Sequence, residues 1–210
     1  MTKIYLVRHG LTEWNVSGRF QGHSDVTLTE MGIQQAKCLA EYFPAEKIDA
    51  VYSSDLQRAA LTASYIAKRF GCKVRETYKL REMNFGAWEG MTFDEIKTRW
   101  PFAEKQILFT PDEIKPPAGE SFQEVEERAS RTLEQITAAH TGENIVLVAH
   151  GAFLRTILTY VLHIPLRYVF RIRQGNTAVS RLMHGGDHFT VDYVNNTAHL
   201  KHLADALRKN

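Results

Sequence analysis

The sequence contains little cysteine, and the two residues it has show no ligand spacing. Cys38 and Cys72 lie in separate segments without a CxxC motif, which predicts a reduced pair rather than a disulfide framework. No stretch reaches the run of about 18 apolar residues that a membrane span needs. The N-terminal segment lacks the basic and apolar regions of a secretory leader. We therefore expect a cytoplasmic protein with no membrane partner.

An excess of charge of one sign is also missing. The 26 basic and 24 acidic residues give a formal net charge of +2, and they are spread along the chain, so no extended basic face for nucleic acid is predicted. The patterns GxxxxGK[ST], HExxH, GxSxG and a GxGxxG after a strand do not occur, which argues against the chemistries they serve. Six of the nine histidines are scattered without ligand spacing or grouped carboxylates, so no metal site is predicted. These six are His140, His163, His184, His188, His199 and His202.

The apolar pattern predicts strands that alternate with helices. The 210 residues fit one domain, and a 44% hydrophobic content is ordinary for a globular protein. The predicted strands are 3–7, 50–52 and 144–149, followed by a hairpin of 178–184 and 189–194. We expect an α/β three-layer sandwich whose mainly parallel central sheet is flanked by helices.

Helix starts are predicted from capping residues. Thr29 is expected to cap one helix, and Ser53 or Ser54 the next. Thr92 and Ser121 each precede a glutamate by three residues and so begin capping boxes. Residues 105–119 are expected to form a mobile loop. The chain is thus interpreted as a single domain over residues 1–210, with a helical and loop cap around 83–120.

Two histidines follow apolar strands in the same way. IYLVRHG at residues 4–10 and IVLVAHG at 145–151 each end in a histidine and a glycine. Because ligands bind at the carboxyl ends of strands in open α/β sheets, His9 and His150 are expected to converge if their strands are neighbours. The alternative is that each histidine only ends a strand and binds a backbone carbonyl.

Two arginines accompany these histidines. Arg8 precedes His9, and Arg58 lies in the first turn of a predicted helix, where free N–H groups favour an anion. A guanidinium binds two phosphate oxygens at once, so the pair suits a phosphoryl group. The alternative for Arg58 is a surface salt bridge with Asp55.

A proton donor is needed to release a poor leaving group. The segment LREMNFGAWEG at residues 80–90 supplies Glu82 and Glu89 among apolar side chains, a setting that favours the protonated form of a general acid. The spacing does not decide between the two. The alternative is that Glu82 and Glu89 have no catalytic role and are solvated acids on a loop packed by aromatic residues.

In combination, four motifs resemble the histidine phosphatase, or phosphoglycerate mutase-like, superfamily. They are RHGLTEWN at 8–15 followed by Gln21-Gly22, SSDLQRA at 53–59, LREMNFGAWEG at 80–90, and VAHG at 148–151. The resemblance implies a phosphoglycerate mutase-like fold and a metal-independent phosphomonoesterase without a cofactor. In such an enzyme His9 would form a phosphohistidine and Glu82 would act as general acid and then base.

The resemblance also implies the remainder of the site. Arg8, Arg58 and His150 would form the phosphate pocket, and residues of two loops would complete it as substrate-binding groups. These residues are Asn15, Gln21, Gly22 and Gly151. The partner would be a small-molecule phosphate ester, and a homodimer is the state of some relatives.

Other functions remain open at this point. Cofactor-dependent mutases of the family carry adjacent arginines that are absent here, which favours a phosphatase of the branch that includes α-ribazole and phosphoserine phosphatases. A phosphoglycerate mutase is the alternative, and a non-catalytic phosphate-ligand sensor is an alternative of another class. The expected determinants of substrate choice are Phe20, Met83, Phe85, Phe109 and the loop 105–119, whose apolar character favours an ester with a non-polar portion. One alternative is that these side chains only pack the loop against the domain, and another is that Lys105 and Lys115 meet a carboxylate.

Overall fold

The computed structural model describes residues 1–208 and contains a six-stranded sheet. The strands follow the order β3-β2-β4-β1-β5-β6. Their bounds are Thr2–Arg8 (β1), Ala50–Ser53 (β2), Val74–Glu76 (β3), Asn144–Ala149 (β4), Val179–His184 (β5) and Phe189–Asn196 (β6). The predicted α/β class, the three apolar strands and the hairpin are confirmed.

The sheet is mixed, so the prediction of a mainly parallel sheet is wrong. β1, β4, β2 and β3 pair in parallel, whereas β5 pairs antiparallel with both β1 and β6. The reason is that the hairpin joins the sheet edgewise against β1 and brings in two antiparallel pairings. The four parallel strands share one carboxyl edge, where a ligand crevice is expected.

Helices cover both faces of the sheet. Alternate residues of β1 point to opposite sides, with Ile4 and Leu6 in one buried cluster and Tyr5 and Val7 in the other. The α-helices are Glu13–Val16 (α1), Glu30–Glu41 (α2), Gln57–Phe70 (α3), Phe93–Arg99 (α4), Pro101–Phe109 (α5), Phe122–Ala138 (α6), Gly151–Val161 (α7) and His199–Arg208 (α8). Among these described helices, none combines the length and the apolar character required to cross a bilayer.

Most of the predicted helix caps are present. Thr29 accepts a hydrogen bond from Gly32 N at the start of α2, and the capping boxes of Thr92 with Glu95 and of Ser121 with Glu124 are both formed. These side chains satisfy N–H groups that have no partner within the helix.

Three local predictions are wrong or incomplete. The N-cap of α3 is Leu56, which has no side-chain cap, rather than Ser53 or Ser54. Residues 105–109 form the end of α5 and Pro111–Glu113 form a 3₁₀ turn, so the segment 105–119 is not a continuous loop. Strand β3 was not predicted because its residues are partly or fully exposed and give no apolar run.

Candidate active site

The order of the strands brings the two histidines together. β1 and β4 are parallel neighbours, and Arg8 pairs with Ala149 in register. His9 and His150, the next residues of the two segments, therefore lie side by side at the carboxyl edge of the sheet. Both imidazoles are buried, at 2% and 0% exposure, and their ring centroids are 5.2 Å apart. The predicted convergence is therefore present, and neither histidine is simply a strand end.

The tautomer of His9 follows from its hydrogen bond. Nδ1 lies 2.7 Å from the carbonyl oxygen of Gly10. Since a carbonyl only accepts, Nδ1 carries the proton, and the lone pair is on Nε2. Burial, followed by the charges of Arg58 and Arg8, holds the pKa of His9 well below its usual 6.5. His9 thus presents a neutral, nucleophilic nitrogen at neutral pH.

His150 is held in the same electrostatic environment. Burial, then Arg58, His9 and Arg8, holds its pKa well below 6.5. In the part of the chain that the structure describes, neither of its ring nitrogens has a hydrogen-bond partner. An unsatisfied buried polar group is costly, so this ring lacks the partner that a buried imidazole normally has.

Both predicted arginines lie beside the histidines, Arg58 buried and Arg8 partly buried. β2 lies on the other side of β4 from β1, which brings the first turn of α3 and Arg58 to the same edge. Arg58 is fully buried, and its Nη1 and Nη2 donate to the carbonyl oxygens of Ser24 and Gly22, each at 2.7 Å. Arg8 donates from Nη1 to the carbonyl of Gln174 at 2.7 Å. Burial first, and then neighbouring Arg155, lowers the pKa of Arg8 to about 10.

The alternative interpretation of Arg58 is wrong. Asp55, proposed as its surface partner, instead forms a two-pronged ion pair with Arg81, with N–O distances of 2.8 and 2.6 Å. Arg58 donates to backbone carbonyl groups and forms no ion pair within 4.0 Å with a carboxylate of the residues that the structure describes. Its charge is thus available to a ligand.

The structure separates the two candidate glutamates. Glu82 is 8% exposed and lines a cavity of about 210 Å³ together with Arg8, His9 and Arg58. Its carboxylate accepts from the backbone N–H groups of Ala152 at 3.1 Å and Phe153 at 2.9 Å, in the first turn of α7. A helix N-terminus is a favourable position for a carboxylate.

Glu89 lies outside that cavity and holds a turn together. Its oxygens accept from His23 N and Ser24 N, both at 2.8 Å, and from Ser24 Oγ at 2.6 Å. The carbonyl of Ser24 in turn accepts from Arg58. Glu89 therefore positions Arg58 indirectly, through the turn at Ser24. Of the two glutamates, Glu82 is the candidate proton donor because it lines the cavity.

The predicted loop residues have different positions. Asn15, Gln21 and Gly151 line the cavity. Gly22 does not; its carbonyl binds Arg58, its φ is +54°, and a Cβ there would lie 2.0 Å from Glu89 Oε1. In the structure Gly22 positions Arg58 through this backbone contact, and its ligand-binding role stays a prediction.

Arg155 and Asn176 are among the residues of the site that the sequence patterns did not indicate. Arg155, one turn after Gly151 on α7, lines the cavity. Asn176 donates from Nδ2 to the carbonyl oxygens of His9 and Gly10 and to Asn15 Oδ1, at 3.1, 3.1 and 3.0 Å. The only available signal for Arg155 was a charged residue in an apolar helix that follows a strand-His-Gly motif.

The expected determinants of specificity are only partly in place. Phe20 and Phe85 line the cavity, as does Phe170, which was not predicted. Met83 is fully buried in the core. Phe109, by contrast, is 72% exposed and does not line the cavity. The aromatic wall of the cavity is thus formed by two of the expected residues, Phe20 and Phe85, and by Phe170.

Comparison with known proteins agrees with this geometry. Residues 4–197 match the family model described as "Histidine phosphatase superfamily (branch 1)". The chain is 41% identical over 160 residues to the "Metal-independent phosphoserine phosphatase" of Arabidopsis thaliana, covering 75% of this chain and 67% of that protein. It is 35% identical over 184 residues to the "Probable phosphoglycerate mutase GpmB" of Serratia proteamaculans, covering 88% and 86%.

A solved structure matches the fold over almost the whole chain. It is a phosphoserine phosphatase from Entamoeba histolytica in complex with phosphoserine, at a TM-score of 0.87 and 32% identity, covering 95% of this chain and 100% of that one. The family match, the identities and the fold lead to one conclusion. The chain belongs to branch 1 of the histidine phosphatase superfamily.

Proposed function

We propose that this protein is a metal-independent phosphomonoesterase that transfers the phosphoryl group of a small ester to His9 and then to water. The observation that carries this proposal is His9, which has its lone pair on Nε2 and lines a cavity together with Arg8, Arg58 and Glu82. Transfer to an enzyme nucleophile splits hydrolysis into two in-line displacements.

In the first step, Nε2 of His9 attacks phosphorus and the bond to the ester oxygen breaks. The electron pair goes to that oxygen, which takes a proton from Glu82. In the second step, the Glu82 carboxylate takes a proton from water, whose oxygen attacks phosphorus and breaks the P–N bond. The products are the free alcohol, inorganic phosphate and His9 in its starting form.

The guanidinium groups of Arg8 and Arg58 stabilise the transferring group throughout. They face a phosphoryl group whose charge is spread over three equatorial oxygens, and their own backbone partners fix them before the substrate arrives. Preorganised charges of this kind lower the barrier because they need not reorient during the reaction.

A phosphoglycerate mutase is the second candidate, because of the named relative described above. The sequence contains no pair of adjacent arginines, the feature expected to hold a second acidic group in the cofactor-dependent mutases. Isomerisation of 3-phosphoglycerate primed by the bisphosphate, measured beside phosphate release from the same substrate, separates the two activities.

The decisive experiment is a phosphate-release assay over a panel of esters in the presence of EDTA. The expected result is turnover of at least one small ester, an acid-labile phosphoenzyme on rapid quenching, and loss of both in His9→Ala. His188→Ala is the matched control, since His188 is 72% exposed in its side chain and pairs with Asp187. Ester binding without turnover or phosphoenzyme would overturn the proposal and indicate a phosphate sensor.

We also propose a cytoplasmic location. Its support is that Cys38 and Cys72 are both free thiols, as is usual in a reducing compartment. The location is tested by cell fractionation, with the protein detected by immunoblot in the cytoplasmic fraction and in the periplasmic or organellar fractions. Enrichment of the protein in an oxidising compartment would contradict the proposed cytoplasmic location.

A further inference from the structure

Arg155 lies where it can reach a second group on the substrate. It is on α7, and its Nε donates to the carbonyl oxygen of Ile172 at 2.8 Å. This bond fixes the plane of the guanidinium and leaves Nη1 and Nη2 for other partners. A Cβ built on Gly151 would lie 3.1 Å from Arg155 Nη1 and 3.5 Å from Arg8 Nε. Arg155 and Arg8 thus converge on the same point of the cavity wall.

The charges around the cavity do not balance without an additional anion. Arg8, Arg58 and Arg155 line it, and of the residues that the structure describes Glu82 is the only carboxylate in the lining. The fourth lining arginine, Arg19, is already paired with Glu95 at 3.0 Å. Arg155 forms no ion pair within 4.0 Å with any residue that the structure describes.

The imbalance is greatest when the chemistry occurs. A general acid must be protonated to act, and at that moment Glu82 contributes no charge. Three guanidinium groups then face one phosphate ester, whose phosphoryl group carries two negative charges when fully ionised. A buried charge without a partner is costly, so one more negative charge on the substrate completes the site.

We propose that Arg155 determines specificity by binding a substrate carboxylate, so that the preferred substrates are phosphate monoesters of small hydroxy acids or amino acids. This inference rests on the proposed phosphatase activity. Guanidinium is well suited to the task because it binds a carboxylate through two parallel N–H groups. The lysines expected to meet a carboxylate do not line the cavity, and Lys115 is paired with Glu124 at 2.8 Å.

The test compares substrates that differ only in the carboxylate. Phosphoserine is paired with O-phosphoethanolamine, and 3-phosphoglycerate with glycerol phosphate. For wild type, Arg155→Gln and Arg155→Lys, kcat/KM is measured for all four esters. Arg173→Gln is the matched control because it removes the same charge from an exposed residue of the neighbouring segment.

The expected result is a selective loss. Arg155→Gln lowers kcat/KM for the two acids by about 30-fold more than it does for the esters without a carboxylate, as expected when one partner of a desolvated charge pair is truncated. Turnover of those esters also shows that the variant is folded. Arg155→Lys retains part of the preference because it keeps the charge and loses the two-pronged geometry.

Other outcomes overturn the inference. An equal loss on all four esters places Arg155 in the phosphoryl pocket, and no loss on any shows that it binds no part of the substrate. Binding of the same four compounds to His9→Ala, with and without Arg155→Gln, is measured by calorimetry. Suppose that wild type turns over none of the esters, while His9→Ala binds the two acids more tightly and the added Arg155→Gln abolishes that preference. This result would refute the phosphatase and retain the carboxylate site.

Discussion

His9 and His150 extend from adjacent parallel strands to within 5.2 Å between ring centroids, with their planes tilted by 55°. Burial and the nearby guanidinium groups lower the pKa of both rings, and His9 further lowers the pKa of His150. The site therefore keeps two neutral imidazoles beside fixed positive charges. This arrangement attracts an anion and preserves a nucleophile for it.

The effect of Arg58 on His9 predicts a shift in pH dependence. Arg58 is the largest charge contribution that lowers the pKa of His9, after burial. In Arg58→Gln the protonated imidazole is less disfavoured, so the pKa of His9 rises and the acid limb of kcat/KM moves to higher pH. We also expect a loss of about a hundred-fold in rate. Arg58→Lys retains the charge and is expected to keep the limb near its wild-type position. An unmoved limb in Arg58→Gln would rule out this electrostatic coupling.

The assignment of Glu82 as proton donor predicts a dependence on the leaving group. Glu82→Gln is expected to lower kcat/KM by about a hundred- to ten-thousand-fold for an alkyl phosphate, and much less for p-nitrophenyl phosphate, whose leaving group needs no proton. Glu89→Gln disturbs the turn beneath Arg58 and is expected to affect both substrates by the same factor. The ratio of the two rates, measured for each variant, distinguishes the roles. A leaving-group effect in Glu89→Gln alone would reverse the assignment.

The close contact between Gly22 and Glu89 predicts a loss of stability. Gly22→Ala must place a Cβ 2.0 Å from Glu89 Oε1 and 2.9 Å from Phe85 N, at a φ of +54°. Gly71→Ala is the matched control, since Gly71 has a φ of +67° and nothing within 4 Å of its Cβ position. Both variants bear left-handed strain of about 1–2 kcal/mol, and Gly22→Ala adds about 1–3 kcal/mol of overpacking. Urea unfolding measures the difference, and equal free energies for the two variants would contradict the contact.

Much of this site could be predicted from the chain because its elements are local. An apolar run followed by His-Gly marks each strand end, and the six residues 144–149 were predicted with the bounds that β4 has in the structure. That β1 and β4 are neighbours is a property of the whole sheet, and no local pattern specifies it. The convergence of His9 and His150 therefore remained conditional until the structure was known.

Arg155 and Asn176 show where local patterns are insufficient. Arg155 resembles the polar position of any helix, and only the packing of α7 against the segment at Ile172 turns its guanidinium towards the cavity. Asn176 lies in a turn with no periodicity, yet its side chain contacts the backbone of His9 and Gly10. Both functions arise from contacts between residues far apart in sequence.

The burial of His199 predicts a loss of stability in acid. Its Nε2 lies 3.0 Å from Thr177 Oγ1, and Thr177 N donates to the carbonyls of Arg8 and His9. Burial, followed by the charge of His202, lowers the pKa of His199 from 6.5 to about 4. Between these two pH values the unfolded chain binds a proton that the folded chain does not. The free energy of unfolding therefore falls as the pH is lowered through this window and is unaffected by this group above 6.5.

His9 and His150 contribute in the same direction, since their pKa values are also lowered by burial. For His199 alone the loss between pH 6.5 and 4 is about 3 kcal/mol. We expect the free energy of unfolding in urea to decrease from pH 7 to pH 5, and to decrease less steeply in His199→Asn. His188→Asn, at an exposed site, should follow the wild type. A flat profile for the wild type between pH 7 and pH 5 would show that these histidines become protonated within the folded protein.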